Sequence, residues 1–219
     1  MECEISSKKA QILDKLSNVF KSEYLIIDSQ QEIKFQFLSD SKNIISTIIL
    51  EKSFFTKIEN KNMTIKFGKP KFYYKKMLFL KIMTTKTFVI FEYNFEFYIY
   101  RHKFFIFKAT LFQIPFIINA SEYIDQYNFY KAIELANGNI KVTFEHGFAN
   151  IQNDNINMKF KCTGLDKIYF EIDSFILKSI FALYDFFDSC MLNWEDKDSP
   201  ININLYYTTY SIYFFVGTI

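Results

Sequence analysis

The chain has 219 residues, half of them hydrophobic and one in five aromatic, with a net charge near +2. That length can bury a real core in one or two domains, and so apolar a composition excludes disorder over most of it. The longest apolar run that could be read as a membrane span, Thr110 to Ile118, is too short to cross a bilayer. The acidic start Met1-Glu2-Cys3-Glu4 lacks the basic-then-apolar order of a signal peptide, so a soluble intracellular protein is expected.

Met1 to Ile5 reads as a short strand and Lys8 to Lys21 as an amphipathic helix. Ser6 or Ser7 can cap that helix, and Ile12, Leu13, Leu16, Val19 and Phe20 form its apolar stripe. Lys8, Gln11, Lys15 and Asn18 lie along the opposite side. Tyr24–Asp28, Ile33–Leu38, Asn43–Leu50 and Met63–Phe67 alternate as strands. Gly68 and Pro70 then predict a second helix from about Lys69 with a strongly basic leading end at Lys69, Lys71, Lys75 and Lys76. Thr87–Tyr93 and Phe95–Tyr100 follow as strands, and the apolar stretch from Arg101 to Phe112 reads as a paired connector rather than a loose tether.

From about Phe112 the order recurs. A strand to Ile118 is followed by a helix from Ser121 to Ala136, then by strands at Ile140–Glu145, Phe148–Gln152, Ile156–Cys162 and Lys167–Ile172. A last helix from Asp173 to Cys190 and strands at Ile201–Tyr207 and Ser211–Ile219 complete the chain. The repeat predicts an α+β protein of two similar domains, residues 1–108 and 109–219, each with two helices packed on antiparallel sheet. Residues 1–110 hold 19 Lys or Arg against 11 acids and residues 111–219 hold 7 against 13, so the first half is near +8 and the second near −6.

Few residues offer catalytic chemistry. Cys3, Cys162 and Cys190 have no close partner and read as reduced, packed thiols. His102 and His146 lack neighbours at metal-ligand spacing, and Glu195, Asp196 and Asp198 read as a solvated acidic turn. No phosphate loop, nucleophile elbow or Cys/His pair occurs. No enzyme activity, cofactor or metal is expected.

Several segments carry a resemblance. Met1, Cys3 and Ile5 with the following helix, Asp28, Phe35 and Phe37, Ser46 and Phe54-Phe55 resemble the opening of a DNA sliding-clamp subunit. The subunit in question is the one that bears a long phosphorylated tail in the heterotrimeric nine-one-one checkpoint ring. Tyr100-Arg101-His102 is similar to that family's aromatic-Arg-His step. Phe170, Ile172 and Phe175, then Met191 to Trp194, Asp198-Ser199-Pro200 and Phe215-Val216-Gly217-Thr218-Ile219 resemble its closing stretch. The family's tail is missing from this sequence.

The resemblance implies a DNA-clamp fold and a nuclear, non-catalytic subunit of a six-domain ring, with sheets outside and helices lining the hole. A clamp loader and two other clamp subunits would be its partners. The ring would encircle double-stranded DNA without sequence preference and serve DNA repair and DNA-damage checkpoint factors. Lys8, Lys9, Lys15, Lys71, Lys75 and Lys76 would meet phosphates, because a clamp needs several mobile, sequence-blind cations. Phe105, Phe107 and Ile219 would line a client groove beneath the connector. Phe104–Leu111 and Ile201–Tyr207 are the candidate free sheet edges. A homotrimeric replication clamp and a β-rich interaction module without DNA binding are the rival readings.

Overall fold

The computed structural model describes every residue except 20, 31, 41–42, 60, 163–166 and 219. The chain forms two compact units. The first comprises Met1–Lys42, Ser46–Phe112 and Thr209–Ser211, and the second Asn43–Ile45, Gln113–Thr208 and Ile212–Ile219. No helix among the described residues is long and apolar enough to cross a membrane.

In unit 1, β1 (Glu2–Ser6) runs directly into α1 (Ser7–Ser17), capped by the Ser6 side chain. Strands β2 (Tyr24–Asp28), β3 (Ile33–Leu38), β4 (Ile44–Leu50), β5 (Lys57–Glu59) and β6 (Thr64–Gly68) follow. Then come β7 (Met77–Thr84), β8 (Phe88–Phe95), β9 (Ile99–Phe105) and the two-residue β10 (Phe107–Lys108). The strand orders are β5-β1-β7-β8-β9 and β10-β6-β2-β3-β4, with antiparallel pairing throughout the first and from β10 to β3 in the second. Ala10, Leu13 and Leu16 of α1 are buried together with Ile5, Leu80, Ile82, Phe91 and Tyr93. Each leucine so removed from water stabilises the unit by about 1.5–3 kcal/mol.

Unit 2 repeats the plan. β11 (Ala120–Ile124) leads into α2 (Gln126–Glu134), followed by β12 (Asn139–Glu145), β13 (Phe148–Gln152), β14 (Asn157–Lys161) and β15 (Ile168–Asp173). α3 (Ser174–Phe181), β16 (Ser189–Trp194), β17 (Ile201–Tyr207) and β18 (Tyr210–Val216) complete it. The orders β14-β13-β12-β15 and β18-β17-β16-β11 match β4-β3-β2-β6 and β9-β8-β7-β1 of unit 1. Phe129 of α2 anchors the core, with ring centroids 4.6 Å from Phe181 and 5.9 Å from Phe160. Such aromatic pairs add about 0.5–1.5 kcal/mol beyond their buried area. At the β12–β13 turn, His146 (φ 51) and Gly147 (φ 76) both adopt the left-handed backbone that a two-residue hairpin requires.

A polar row crosses one sheet in each unit, with different chemistry. In unit 1 the register places Glu4, Lys81, Glu92 and Arg101 side by side. Lys81 Nζ lies 2.8 Å from Glu2 and Arg101 Nε 2.6 Å from Glu92. In unit 2 the row is uncharged. Ser121 Oγ donates to Asn193 Oδ1 (2.8 Å), Asn193 Nδ2 to Asn202 Oδ1 (2.9 Å), and Asn202 Nδ2 to the Phe214 carbonyl (3.4 Å).

Six expectations from sequence are corrected. Residues 109–118 hold no strand, and the strand that precedes α2 is β11; Phe95–Tyr100 holds the turn between β8 and β9 rather than one strand. Residues 69–76 form no helix, so unit 1 has one α-helix among its described residues. Ser7 Oγ and the Tyr93 hydroxyl hold the carbonyls of Tyr74 and Lys71, and Lys76 has φ 60, which ends any helical run. The apolar run after it is strand β7. Residues 120–124 are strand rather than the start of a helix, because Asp125, not Ser121, caps α2. α3 stops at Phe181, since 189–194 pair with β17 and β11. Ile201–Tyr207 is not a free edge: β17 lies between β16 and β18, and its first five residues are all buried.

Candidate nucleic-acid interface

α1 and the segment 69–76 lie together in unit 1. Lys69 donates from Nζ to the Ser17 carbonyl at 2.6 Å and to Asn18 Oδ1 at 2.9 Å, capping the C-terminal end of α1. There a cation meets the negative end of the helix dipole. Burial holds the Lys69 ammonium below its usual range, against the opposing pull of Asp14 and Asp40. At the other end of α1, Ser7 Oγ donates to the Tyr74 carbonyl at 2.9 Å. The segment therefore runs as a strap along α1, from the helix's last turn to its first.

This strap keeps the cations of the expected second helix beside α1 without the helix. Lys71, Lys75 and Lys76 are exposed on it, and Lys8 and Lys15 are exposed on α1. Lys9 departs from the set: its ammonium donates to the Ser53 carbonyl at 2.7 Å and sits 5.3 Å from the Phe54 ring centroid. Burial lowers its pKa. The structure thus gathers five of the six sequence-predicted lysines as exposed side chains and turns the sixth toward its own unit.

The helical surface of unit 2 differs in kind. Lys131 pairs with Glu134 at 3.0 Å, and Tyr127, Leu135 and Phe175 are exposed there. The charge asymmetry counted along the sequence is therefore also an asymmetry of helix surfaces, cationic in unit 1 and neutralised or apolar in unit 2.

Beside the connector, unit 1 holds a groove of about 350 Å³ lined by Tyr24, Ile26, Gln36, Leu38, Lys66 and Phe112. Lys66 Nζ stands 4.1 Å from the Tyr24 ring centroid. Gln36, only 3% exposed, fixes the connector to β3. Its Nε2 donates to the Phe112 carbonyl (2.9 Å) and its Oε1 accepts from the Phe112 N–H (2.7 Å). Sequence reasoning missed Gln36; its one signal was a polar residue between Phe35 and Phe37 in a strand. Phe107 pairs opposite Lys66, at the groove's side, whereas Phe105 packs on Phe88 at the β9 edge. Ile219 lies outside the described residues.

The remaining candidates stay apart. Cys3 and Cys190 are 1% exposed. Burial pushes the Cys3 thiol up to about 12 and raises that of Cys190 further, so both are packed, inert groups. The His102 ring lies 4.1 Å from that of Phe104, and His146 occupies the hairpin turn. Among the described residues, no cluster of three His, Cys, Asp or Glu side chains could hold a metal ion.

No family model matches the sequence, and neither does any curated protein. Solved structures do match along the whole chain. A PCNA2–PCNA3 complex from Sulfolobus tokodaii aligns with TM-score 0.75 at 10% identity, covering 100% of this chain and 99% of that one. The proliferating cellular nuclear antigen of Entamoeba histolytica aligns with TM-score 0.74 at 10% identity, covering 100% and 98%. PCNA from Thermococcus kodakaraensis aligns with TM-score 0.73 at 11% identity, covering 100% and 99%. With its duplicated strand order and end-to-end match to these structures, the chain has the α+β fold of the PCNA-like sliding clamps.

Proposed function

We propose that this protein is a non-catalytic subunit of a ring-shaped clamp that encircles double-stranded DNA. In this reading it acts in the nucleus, with two other clamp subunits and a clamp loader, as a platform for repair and checkpoint factors. The observation that carries the reading is the exposed lysine set on α1 and its strap, in a chain whose fold matches sliding clamps over its full length. Exposed ammonium groups on a helix and a strap attract phosphates without reading bases, which is what sliding requires. The homotrimeric alternative draws support from the opposite charges of the two halves, which would attract copies head to tail.

The test is the K8E/K15E/K71E/K75E variant, with DNA association measured against salt. Each lysine–phosphate pairing that the variant removes should flatten the log–log salt slope by about 0.9. Unchanged affinity and slope would remove the DNA reading and leave a protein-interaction module.

A further inference from the structure

Among the described residues, β9 and β14 end their sheets in the two units with no further strand paired to them, and both are basic in character. Arg101 and Lys103 are exposed on β9, Lys159 and Lys161 on β14, and neither strand contains Asp or Glu. Arg101 is paired with Glu92, whereas Lys103, Lys159 and Lys161 have no carboxylate at ion-pair distance among the described residues. Both edges are also built to pair. β9 offers seven residues with Ile99 and Phe105 exposed, β14 offers five with Met158 and Phe160 half-buried, and neither contains proline or glycine. Open edges of this kind accept another strand unless charge forbids it.

We propose that each edge takes an acidic strand edge of a different protein, and that the two edges do not join one copy of this chain to another. The inference rests on the clamp reading, in which neighbouring subunits meet head to tail through sheet edges. Joining β9 of one copy to β14 of the next would set lysines opposite lysine and arginine, about 5 Å apart, where like charges destabilise the ladder. The opposite net charges of the halves act in the other direction. That attraction is spread over whole domains and is screened beyond a Debye length of about 8 Å at physiological ionic strength. The edge charges would lie inside that length and lose water as the strands close, so they decide the outcome.

The test is sedimentation of the purified chain in physiological salt. The wild type is expected to remain monomeric. K159E/K161E, which makes β14 acidic opposite a basic β9, is expected to self-associate at least roughly tenfold more tightly. Adding K103E to that variant leaves β9 without an unpaired cation and sets a carboxylate at position 103 against an acidic β14, which should abolish most of the gain. A wild-type chain that assembles alone, or a double variant indistinguishable from wild type, would overturn the proposal. The DNA reading is judged separately by the lysine quartet, which lies on neither edge. Loss of one result with survival of the other therefore identifies which inference failed.

Discussion

Replacing Gln36 by leucine removes a clamp while keeping the side chain's bulk. Gln36 makes two hydrogen bonds to the main chain of Phe112, at 2.7 and 2.9 Å, and a third to Thr47 Oγ1 at 3.0 Å. Each is worth about 1 kcal/mol net, and a main-chain group left buried without a partner costs about 1–3 kcal/mol. Phe112 is 48% exposed, so water can reach part of its freed backbone. The expected loss is therefore about 2 kcal/mol, at the low end of that sum. Urea unfolding of Q36L should show a lower midpoint at unchanged slope. Hydrogen exchange should show the Phe112 amide losing its protection while amides of β12–β13 keep theirs. Glutamate at position 36 still accepts from the Phe112 N–H but cannot donate to its carbonyl, so Q36E should retain part of that protection. A Phe112 amide that exchanges equally slowly in wild type and Q36L would refute the clamp.

Three further outcomes follow from individual side chains. Lys69→Met removes a charged cap from the Ser17 carbonyl and should cost about 1–2 kcal/mol, read as a lower urea midpoint with loss of helical signal. Burial raises the pKa of Glu92, but hydrogen bonds from Arg101 and Asn94 outweigh it and hold the group below its ordinary 4.5. Its folded pKa is thus below its unfolded one, so the stability it contributes is present above about pH 4.5 and lost as pH falls through the folded value. In R101L, NMR titration should find the Glu92 pKa raised and that acid-side loss diminished. Finally, a thiol reagent should modify Cys162 first and reach Cys3 and Cys190 only at the rate of unfolding, because burial keeps both thiols protonated and covered.

Sequence alone carried the strands best where apolar and polar residues alternate along the chain. Ile33–Leu38, Phe148–Gln152 and Ile201–Tyr207 stand in the structure with the bounds their alternation predicts. It failed where aromatic and aliphatic residues occupy consecutive positions, because a saturated pattern has no period to read. Phe72-Tyr73-Tyr74 followed by Met77-Leu78-Phe79-Leu80 satisfies helical and strand spacing alike, and tertiary bonds from Ser7 and Tyr93 decide the matter. The β11 error was one of placement: the repeat demands a strand before α2, but the apolar run to Ile118 drew that strand upstream of Ala120–Ile124, whereas β1 runs straight into α1. Of the proposed DNA-facing lysines, the outward stripe of Lys8 and Lys15 was legible from helix spacing. The engagement of Lys9 with Ser53 was not, since it depends on a turn 44 residues away.

The two polar rows bear on how a duplicated chain folds. Its halves have the same strand order, so during folding a strand of one can meet the place meant for its counterpart. In one half the row reads as alternating charges, Glu4, Lys81, Glu92 and Arg101; in the other as a hydroxyl and two amides. A strand docked in the wrong half would set an ion against an amide, and one slipped by a single residue would turn its polar group to the opposite face. The rows work as address labels, letting twin lobes share one blueprint without exchanging parts.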